Sequence, residues 1–250
     1  MSECCIQPQK PPFYNYPITK WLPMLFFRNI SLPMLAPLLF GLAMADATAA
    51  KDLSSRPEYR MRSSLFEELR EHRDIVMLGD SLTARGEWGE FYPGASIANR
   101  GIGGDTTTGI LSRLDPIIAM RPKVVFILAG INDLGFHRDP VDIITSYQKI
   151  IKILTDSGAK VVVQSTLYVS KNSRLSNNTS ITKINKEMKA YCLTENRCEF
   201  LDLNNLMSPR GQLSREYTGD GIHLNGKGYL AWLDAIAATM GEYLPPKIKH

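Results

Sequence analysis

Beyond residue 50, the hydrophobic positions of the chain follow two alternating kinds of spacing. Short continuous runs rich in β-branched residues, such as KVVFILA at 123–129, are typical of strands buried on both faces. Longer segments repeat their apolar residues every three or four positions, as in 141–156, and this spacing predicts helices. Strands are predicted at 74–78, 96–102, 123–129, 160–167 and 199–203. Helices are predicted at 57–73, 106–120 (bent or restarted at Pro116), 141–156, 181–196 and 226–243.

The order of these elements indicates an α/β fold. Strands that alternate with helices of several turns build βαβ units and a parallel sheet covered on both faces. The predicted architecture is a single-domain, three-layer α/β/α sandwich with a mostly parallel central sheet. In such sheets ligands bind beyond the carboxyl ends of the strands, so polar clusters that directly follow strands are candidates for a site. The loop-like segment 171–180 is a solvated connector or, alternatively, a rim element of that site.

The first 49 residues differ from the rest of the chain. A polar, basic start is followed by the apolar run ISLPMLAPLLFGLAMA at 30–45 and by small residues that offer A-x-A cleavage sites. This pattern predicts an N-terminal signal peptide at 1–49, ahead of one folded domain at 50–250. A signal peptide implies export, to a periplasm or to the extracellular space. The long polar start leaves an uncleaved signal anchor as the alternative, which would tie the protein to a membrane.

Composition and charge narrow the classes of function. The 250 residues are 44% hydrophobic and 22% charged, which is ordinary for a globular domain. The net charge of +4 is mild and no block of five basic residues occurs, so nucleic acid is not expected as a partner. No Cys/His pattern has zinc spacing, so no metal is expected. Cys192 and Cys198 form either a disulfide in an oxidising compartment or two free thiols.

Four polar clusters follow predicted strands or precede the last helix. The first is GDSLT at 79–83, the second NRGIGGDTT at 99–107, the third GIND at 130–133 and the fourth DGIH at 220–223. Taken singly, each has a plainer interpretation as a helix cap, a glycine turn, an Asn-Asp turn or a local carboxylate cap. The second cluster also lacks the spacing of a dinucleotide-binding loop.

Some residues of these clusters have side chains that are suited to catalysis. Ser81 follows a buried strand directly, where its hydroxyl would be exposed at the edge of the sheet. Among the four histidines, only His223 has a carboxylate, Asp220, three residues before it in a glycine-containing loop. That spacing would let Asp220 accept a hydrogen bond from one ring nitrogen and fix the tautomer. Asn132 offers an amide donor at a strand end, and His137 follows it without a patterned partner.

Together the four clusters resemble, in order, the four signature blocks of the SGNH (GDSL) hydrolase family. The similarity covers roughly residues 74–240. The segments PKVVFILAGIND and DGIHLNGKGY are most similar to those of the branch that contains platelet-activating-factor acetylhydrolase-like and carbohydrate O-acetylesterase proteins. The resemblance implies a flavodoxin-like fold, Ser81 as nucleophile, His223 as general base and Asp220 as the group that orients His223. It also implies an oxyanion hole made of the backbone N–H groups of Ser81 and Gly104 and the side-chain amide of Asn132, with no metal or organic cofactor.

A serine esterase that works through an acyl-enzyme is therefore expected. No long apolar insertion is present to cover a fatty acyl chain, which favours a short acyl group, acetyl above all. An exported enzyme with a polar rim would meet acetylated sugars, so the expected partner is a small-molecule or glycan ester. The alternatives are a lysophospholipase or acyl thioesterase, or a non-catalytic carbohydrate-binding SGNH module. The oligomeric state is left open. The rim of the site is expected to include Arg85, Glu87, Trp88 and Glu90. The alternative for Trp88 is a position in the core.

Overall fold

The structure is a computed structural model, and it describes residues 55–171, 173–175 and 177–245. The predicted signal segment 1–49 lies outside the described residues, so both the signal peptide and the export that it implies stay predictions. Within the described ranges, no helix is both long enough and apolar enough to cross a membrane.

Five parallel strands form the central sheet of the described residues. They are β1 (Ile75–Gly79), β2 (Ile97–Gly101), β3 (Val124–Leu128), β4 (Lys160–Gln164) and β5 (Cys198–Leu201). Their order across the sheet is β2-β1-β3-β4-β5, so β1 is paired on both sides. The register places Gly79, at the end of β1, beside Gly101 of β2 and Leu128 of β3. The carboxyl ends of these three strands therefore meet at one edge of the sheet.

Helices cover both faces of this sheet. In chain order they are α1 (Pro57–Glu68), α2 (Ser81–Ala84), α3 (Trp88–Phe91), α4 (Thr107–Leu111), α5 (Asp115–Ala119), α6 (Ile131–Gly135), α7 (Pro140–Asp156), α8 (Asn178–Thr194), α9 (Asn204–Met207) and α10 (Gly226–Gly241). The apolar stripe of α7 packs on one face, where Tyr147 and Ile150 are buried. On the other face, α10 contributes Trp232 and Ile236.

The inner strands are buried because their sequences are apolar on both faces. Every residue of β1 and β3 is buried, as expected for parallel strands between two layers of helices. Residues that alternate along β3 belong to two separate cores, with Val125 and Ile127 in one and Val124 and Phe126 in the other. This division confirms the predicted three-layer α/β/α sandwich with a parallel central sheet.

One predicted helix ends earlier than expected, and another restarts at the proline where a restart is predicted. α1 ends at Glu68 instead of residue 73, where the Leu69 carbonyl accepts a hydrogen bond from the guanidinium of Arg100 (2.7 Å). The restart predicted at Pro116 is confirmed, because the segment 106–120 is divided into α4 and α5 and Pro116 lies in the first turn of α5. A proline there is tolerated because the first-turn N–H groups have no helical partner.

β4 is shorter than predicted, and one-turn helices follow several strands. After Gln164 the chain leaves the sheet, and the Thr166 hydroxyl donates to the Ala129 carbonyl (2.6 Å). The one-turn helices α2, α3, α6 and α9 escape prediction because four or five residues are too few to show a helical period. α8 begins at Asn178, so the loop predicted at 171–180 is shorter than expected.

A disulfide joins Cys192 and Cys198. It connects the last turns of α8 with the first residue of β5. Of the two interpretations that the sequence leaves open, the structure therefore shows the cross-linked pair.

Candidate functional site

The first cluster lies where β1 ends and α2 begins. Asp80 is fully buried and caps α2, because its Oδ1 accepts a hydrogen bond from the Leu82 backbone N–H (2.9 Å). Burial raises the pKa of Asp80 to about 7, against the lowering effect of that hydrogen bond. Ser81, the first residue of α2, is only partly buried and lies at the carboxyl edge of the sheet.

Two glycines let α2 lie directly against the sheet. A Cβ on Gly79 would collide with the carbonyl oxygen of Leu128, and one on Gly101 would collide with the backbone of Ala84. Any larger residue at either position would push α2, and with it the hydroxyl of Ser81, away from the strand ends.

Ser81, His223 and Asp220 form a continuous chain of hydrogen bonds. The Oγ of Ser81 lies 3.1 Å from Nε2 of His223, although 142 positions separate the two residues. The other ring nitrogen, Nδ1, lies 2.7 Å from Oδ2 of Asp220. An ionised carboxylate can only accept, so Nδ1 carries a proton and Nε2 is left to accept from the Ser81 hydroxyl. This arrangement can remove a proton from Ser81.

Hydrogen bonds keep Asp220 in its ionised form. Burial by itself would raise the pKa of Asp220, but the hydrogen bond from the His223 ring and those from the backbone N–H groups of His223 (2.7 Å) and Ile222 (2.9 Å) outweigh it. The pKa of Asp220 therefore lies well below its ordinary range. Asp220 consequently stays negatively charged throughout the pH range in which an ordinary imidazole titrates.

The loop that presents Asp220 and His223 is braced from two sides. The Thr218 hydroxyl donates to the His223 carbonyl (2.7 Å) and accepts from the Gly221 N–H (2.9 Å). Gly221 has a φ of +85°, which favours glycine, and its carbonyl accepts from the Ser170 N–H (2.9 Å). These bonds hold the carboxylate and the imidazole in one relative orientation.

The second and third clusters lie on the loops after β2 and β3, the two neighbours of β1. Gly104, in the second, has a φ of +77°, a conformation that favours glycine. The Asn132 side-chain amide, in the third, donates to the Asp105 carbonyl (2.9 Å) and so ties the two loops together. An amide nitrogen carries two hydrogens, so a second one remains for a ligand. The structure thus brings Ser81, Gly104 and Asn132 to three adjacent strand ends.

Two ion pairs with fully buried carboxylates lie under these loops and are not expected from the sequence. Asp105 pairs with Arg113 at 2.8 Å, and Asp133 pairs with Arg138 at 2.7 Å. Burial raises the pKa of Asp105 to about 6, although Arg113 acts to lower it. The pairs position the loops of the second and third clusters. The only sequence signal is a pair of arginines eight and five residues after the carboxylates, a spacing that belongs to no motif.

The proposed core position of Trp88 is confirmed. Its side chain is 2% exposed and lies edge-on to Trp232, with 5.1 Å between the ring centres. Its indole N–H donates to the Thr83 carbonyl (2.9 Å), which anchors the segment that follows α2.

Other sequence candidates lie outside the hydrogen-bonded chain. Arg85, Glu87 and Glu90 are exposed, and their role at the rim stays a prediction. His137 lies in the turn after α6, where its φ is +60°. In the part of the chain that the structure describes, no group of three or more His, Cys, Asp or Glu side chains is arranged to hold a metal ion.

Known proteins resemble this chain in both sequence and fold. N-acylneuraminate cytidylyltransferase of Streptococcus agalactiae is 27% identical over 148 residues, which are 59% of this chain. The chain spans only about a third (34%) of the length of that relative. Platelet-activating factor acetylhydrolase IB subunit alpha1 of Bos taurus is 27% identical over 165 residues, which cover 62% of this chain and 70% of the relative.

A solved structure shares the fold of this chain, and a protein family matches its sequence. An acetyl-xylooligosaccharide esterase from Geobacillus stearothermophilus superposes with a TM-score of 0.57 at 15% identity, over 72% of this chain and 98% of the other, which shows a shared fold. Residues 77–231, more than half of the chain, match the GDSL-like Lipase/Acylhydrolase family. The predicted SGNH resemblance is thereby confirmed: the chain belongs to the GDSL-like lipase and acylhydrolase family, a family of ester-hydrolysing enzymes.

Proposed function

We propose that this chain is a serine esterase that removes short acyl groups, acetyl above all, from carbohydrate. The observation that carries the proposal is the hydrogen-bonded chain from Ser81 through His223 to Asp220, with Ser81 at the surface. A serine hydroxyl is a weak nucleophile, and a neighbouring imidazole activates it by accepting its proton during the attack.

In the first half of the reaction, Oγ of Ser81 attacks the ester carbonyl carbon and its proton passes to Nε2 of His223. The carbonyl oxygen becomes an oxyanion, while Asp220, 2.7 Å from Nδ1, stabilises the imidazolium. The tetrahedral intermediate then breaks its bond to the alcohol oxygen, which takes the proton from His223. The acyl group is left covalently bound to Ser81.

In the second half, water gives a proton to Nε2 of His223 and attacks the acyl carbonyl. The second intermediate then breaks its bond to Oγ of Ser81, which takes the proton back from Nε2 of His223, and the carboxylic acid leaves. In both halves the oxyanion accepts hydrogen bonds from the backbone N–H groups of Ser81 and Gly104 and from the remaining amide hydrogen of Asn132. Buried ion pairs brace the loops of these donors before substrate binds, and such prior alignment makes oxyanion donors effective.

A polar pocket beside the loop of Asp220 and His223 supports carbohydrate as the alcohol. The pocket adjoins this loop through Ser170, whose N–H bonds to the Gly221 carbonyl, and its volume is about 260 Å³. Hydroxyl, amide and ammonium groups line it, from Ser170, Lys171, Asn177, Asn178, Thr179 and Gln212. Such side chains can both donate to sugar hydroxyls and accept from them.

The names of two similar proteins support acetyl as the acyl group. The bovine relative is an acetylhydrolase, and the Geobacillus protein is an acetyl-xylooligosaccharide esterase. Both names describe removal of the smallest common acyl group.

A substrate screen separates this function from its alternatives. We expect 4-nitrophenyl acetate to be hydrolysed faster than the octanoate, and acetate to be released from acetylated oligosaccharides. A strong rise in rate with acyl-chain length, or faster turnover of lysophospholipids or acyl thioesters, would contradict the proposal. Sugar binding without hydrolysis of any ester, and without labelling by a fluorophosphonate, would identify a non-catalytic carbohydrate-binding module.

Replacing Asp220 with asparagine is expected to lower kcat on 4-nitrophenyl acetate by about a hundredfold to a thousandfold. The neutral amide cannot stabilise the imidazolium. A buried aspartate in this role is worth about 10⁴-fold, but the Asp220 side chain is 56% exposed, so water compensates in part. The control is Glu216→Gln, which removes an exposed carboxylate paired with Lys227 and should keep the wild-type kcat. An unchanged kcat in Asp220→Asn would remove Asp220 from the mechanism.

A further inference from the structure

A guanidinium lies against the turn at Gly104. A Cβ built on Gly104 would stand 3.3 Å from Nη1 of Arg56, the residue that precedes α1. Arg56 therefore places a positive charge beside one of the expected oxyanion donors. The steps of acyl transfer described above make no use of this group.

Packing holds Arg56 in this position. The guanidinium carbon lies 5.4 Å from the centre of the Phe136 ring, a cation–π arrangement with the residue that ends α6. Its backbone is anchored by the start of α1, where Tyr59 is buried and donates its hydroxyl to the Gly109 carbonyl (3.3 Å). Arg56 thus bridges the loop of the second cluster and the turn that follows the third.

The surroundings of Arg56 differ from those of Arg113 and Arg138. Arg113 and Arg138 are each paired with a buried carboxylate. Among the described residues, the ion pairs of the arginines and lysines do not include Arg56. Arg56 is exposed and so is Phe136, of which 42% is accessible. An exposed guanidinium oriented by an aromatic ring is suited to bind an anion from solution.

We propose that Arg56, stacked on Phe136, forms a carboxylate-binding subsite, and that the preferred esters carry a carboxylate close to the ester carbonyl, as acetylated acidic sugars do. This inference rests on the proposed esterase function and names the substrate class of that site. A guanidinium presents paired N–H donors that match the two oxygens of a carboxylate. Because the proposed function acts on carbohydrate esters, the anion inferred here is the carboxylate of an acidic sugar.

Two pairs of esters that differ by one charge test the subsite. The pair with the charge on the acyl group is 4-nitrophenyl hydrogen succinate and its methyl ester. The pair with the charge on the alcohol is 3-acetoxybenzoate and methyl 3-acetoxybenzoate. After correction for the spontaneous hydrolysis of each ester, the wild-type kcat/KM is expected to favour the anionic member of at least one pair, and that pair identifies the side of the ester that Arg56 contacts.

Arg56→Gln is expected to lower this charge preference about tenfold or more, because a charge-assisted hydrogen bond is lost. Arg56→Lys should retain part of the preference, and added salt should weaken it because the subsite is exposed. The matched control is Arg60→Gln, which removes an exposed arginine one turn farther along α1 and should keep the wild-type preference. Arg56 provides no side-chain cap to α1, and the variant loses only an exposed cation–π contact, so the melting temperature of Arg56→Gln should be close to that of the wild type.

Several outcomes would overturn the subsite. An equal loss of activity on charged and neutral esters in Arg56→Gln would show that Arg56 supports only the oxyanion or the local fold. An unchanged charge preference in that variant, or a wild-type preference for the neutral ester in both pairs, would also exclude it. In these cases Ser81-dependent hydrolysis of the neutral esters would leave the esterase function intact. Failure to hydrolyse any of the four esters would instead overturn the proposed function, and the subsite with it.

Discussion

Ser81→Ala is expected to lower kcat on 4-nitrophenyl acetate by on the order of a million-fold. The variant lacks the oxygen that forms the acyl-enzyme, so only water aligned by the remaining oxyanion donors can attack the ester. The fold should be little affected, because within the described residues the Ser81 hydroxyl bonds only to His223. Thermal unfolding of the variant should therefore match that of the wild type while its activity is lost.

Labelling by a fluorophosphonate, followed by mass spectrometry, checks the same prediction independently of turnover. The label should attach to Ser81 in the wild type and be absent from Ser81→Ala. Ser157→Ala, which changes an exposed serine after α7 at the other edge of the sheet, is the control and should keep activity and labelling. His223→Ala should lose about as much as Ser81→Ala, because the two groups act as a unit. Wild-type activity in Ser81→Ala would mean that another group is the nucleophile.

Asn132→Ala is expected to lower kcat by about a hundredfold to a thousandfold and to change KM little. One hydrogen of the Asn132 amide is used by the Asp105 carbonyl, and the other is free to bind the oxyanion. The charge on that oxygen develops only in the transition state, so the loss should fall on kcat. A raised KM with unchanged kcat would show that Asn132 binds the ground state of the substrate instead.

A stability measurement separates this catalytic loss from a structural one. Losing the hydrogen bond to Asp105 should lower the free energy of unfolding of Asn132→Ala by about 1 kcal/mol. A missing oxyanion donor raises the barrier of the reaction by about 3–4 kcal/mol, so instability cannot account for the expected effect. Asn132→Asp is the matched variant, because it keeps the shape and puts a repelling oxygen near the oxyanion. It should lose at least as much kcat as Asn132→Ala.

Hydrophobic patterning predicts the inner part of the fold because burial on both faces leaves a strong signal. The positions predicted for β1 and β3 differ from the observed ones by a residue at each end, and α7 begins one residue early. The restart predicted within 106–120 is also observed, because a proline fits the first turn of a new helix better than the interior of a continuous one. One-turn helices such as α2 and α6 leave no periodic signal.

In the site, contacts within one loop can be predicted from the sequence, and contacts that depend on tertiary packing cannot. Asp220 and His223 can be paired from the sequence because Asp220 lies three positions before His223 in one loop. The pairing of Asp105 with Arg113 cannot be predicted from the sequence, because the sequence does not show whether a charged residue is solvated or buried. Burial of this pair depends on loops that fold over it, and their positions follow from the packing of the whole domain.

The sequence by itself determined the α/β class, the order of the elements and the chemical types of the site residues, because periodicity and local spacing are properties of the chain. The tertiary structure alone decided which residues meet. Ser81 comes within 3.1 Å of His223 because the loop before α10 reaches the end of β1. Arg56 lies beside Gly104 only because α1 packs against the loop after β2. Contacts of this kind depend on strand order and on helix docking, and no local pattern of residues encodes either.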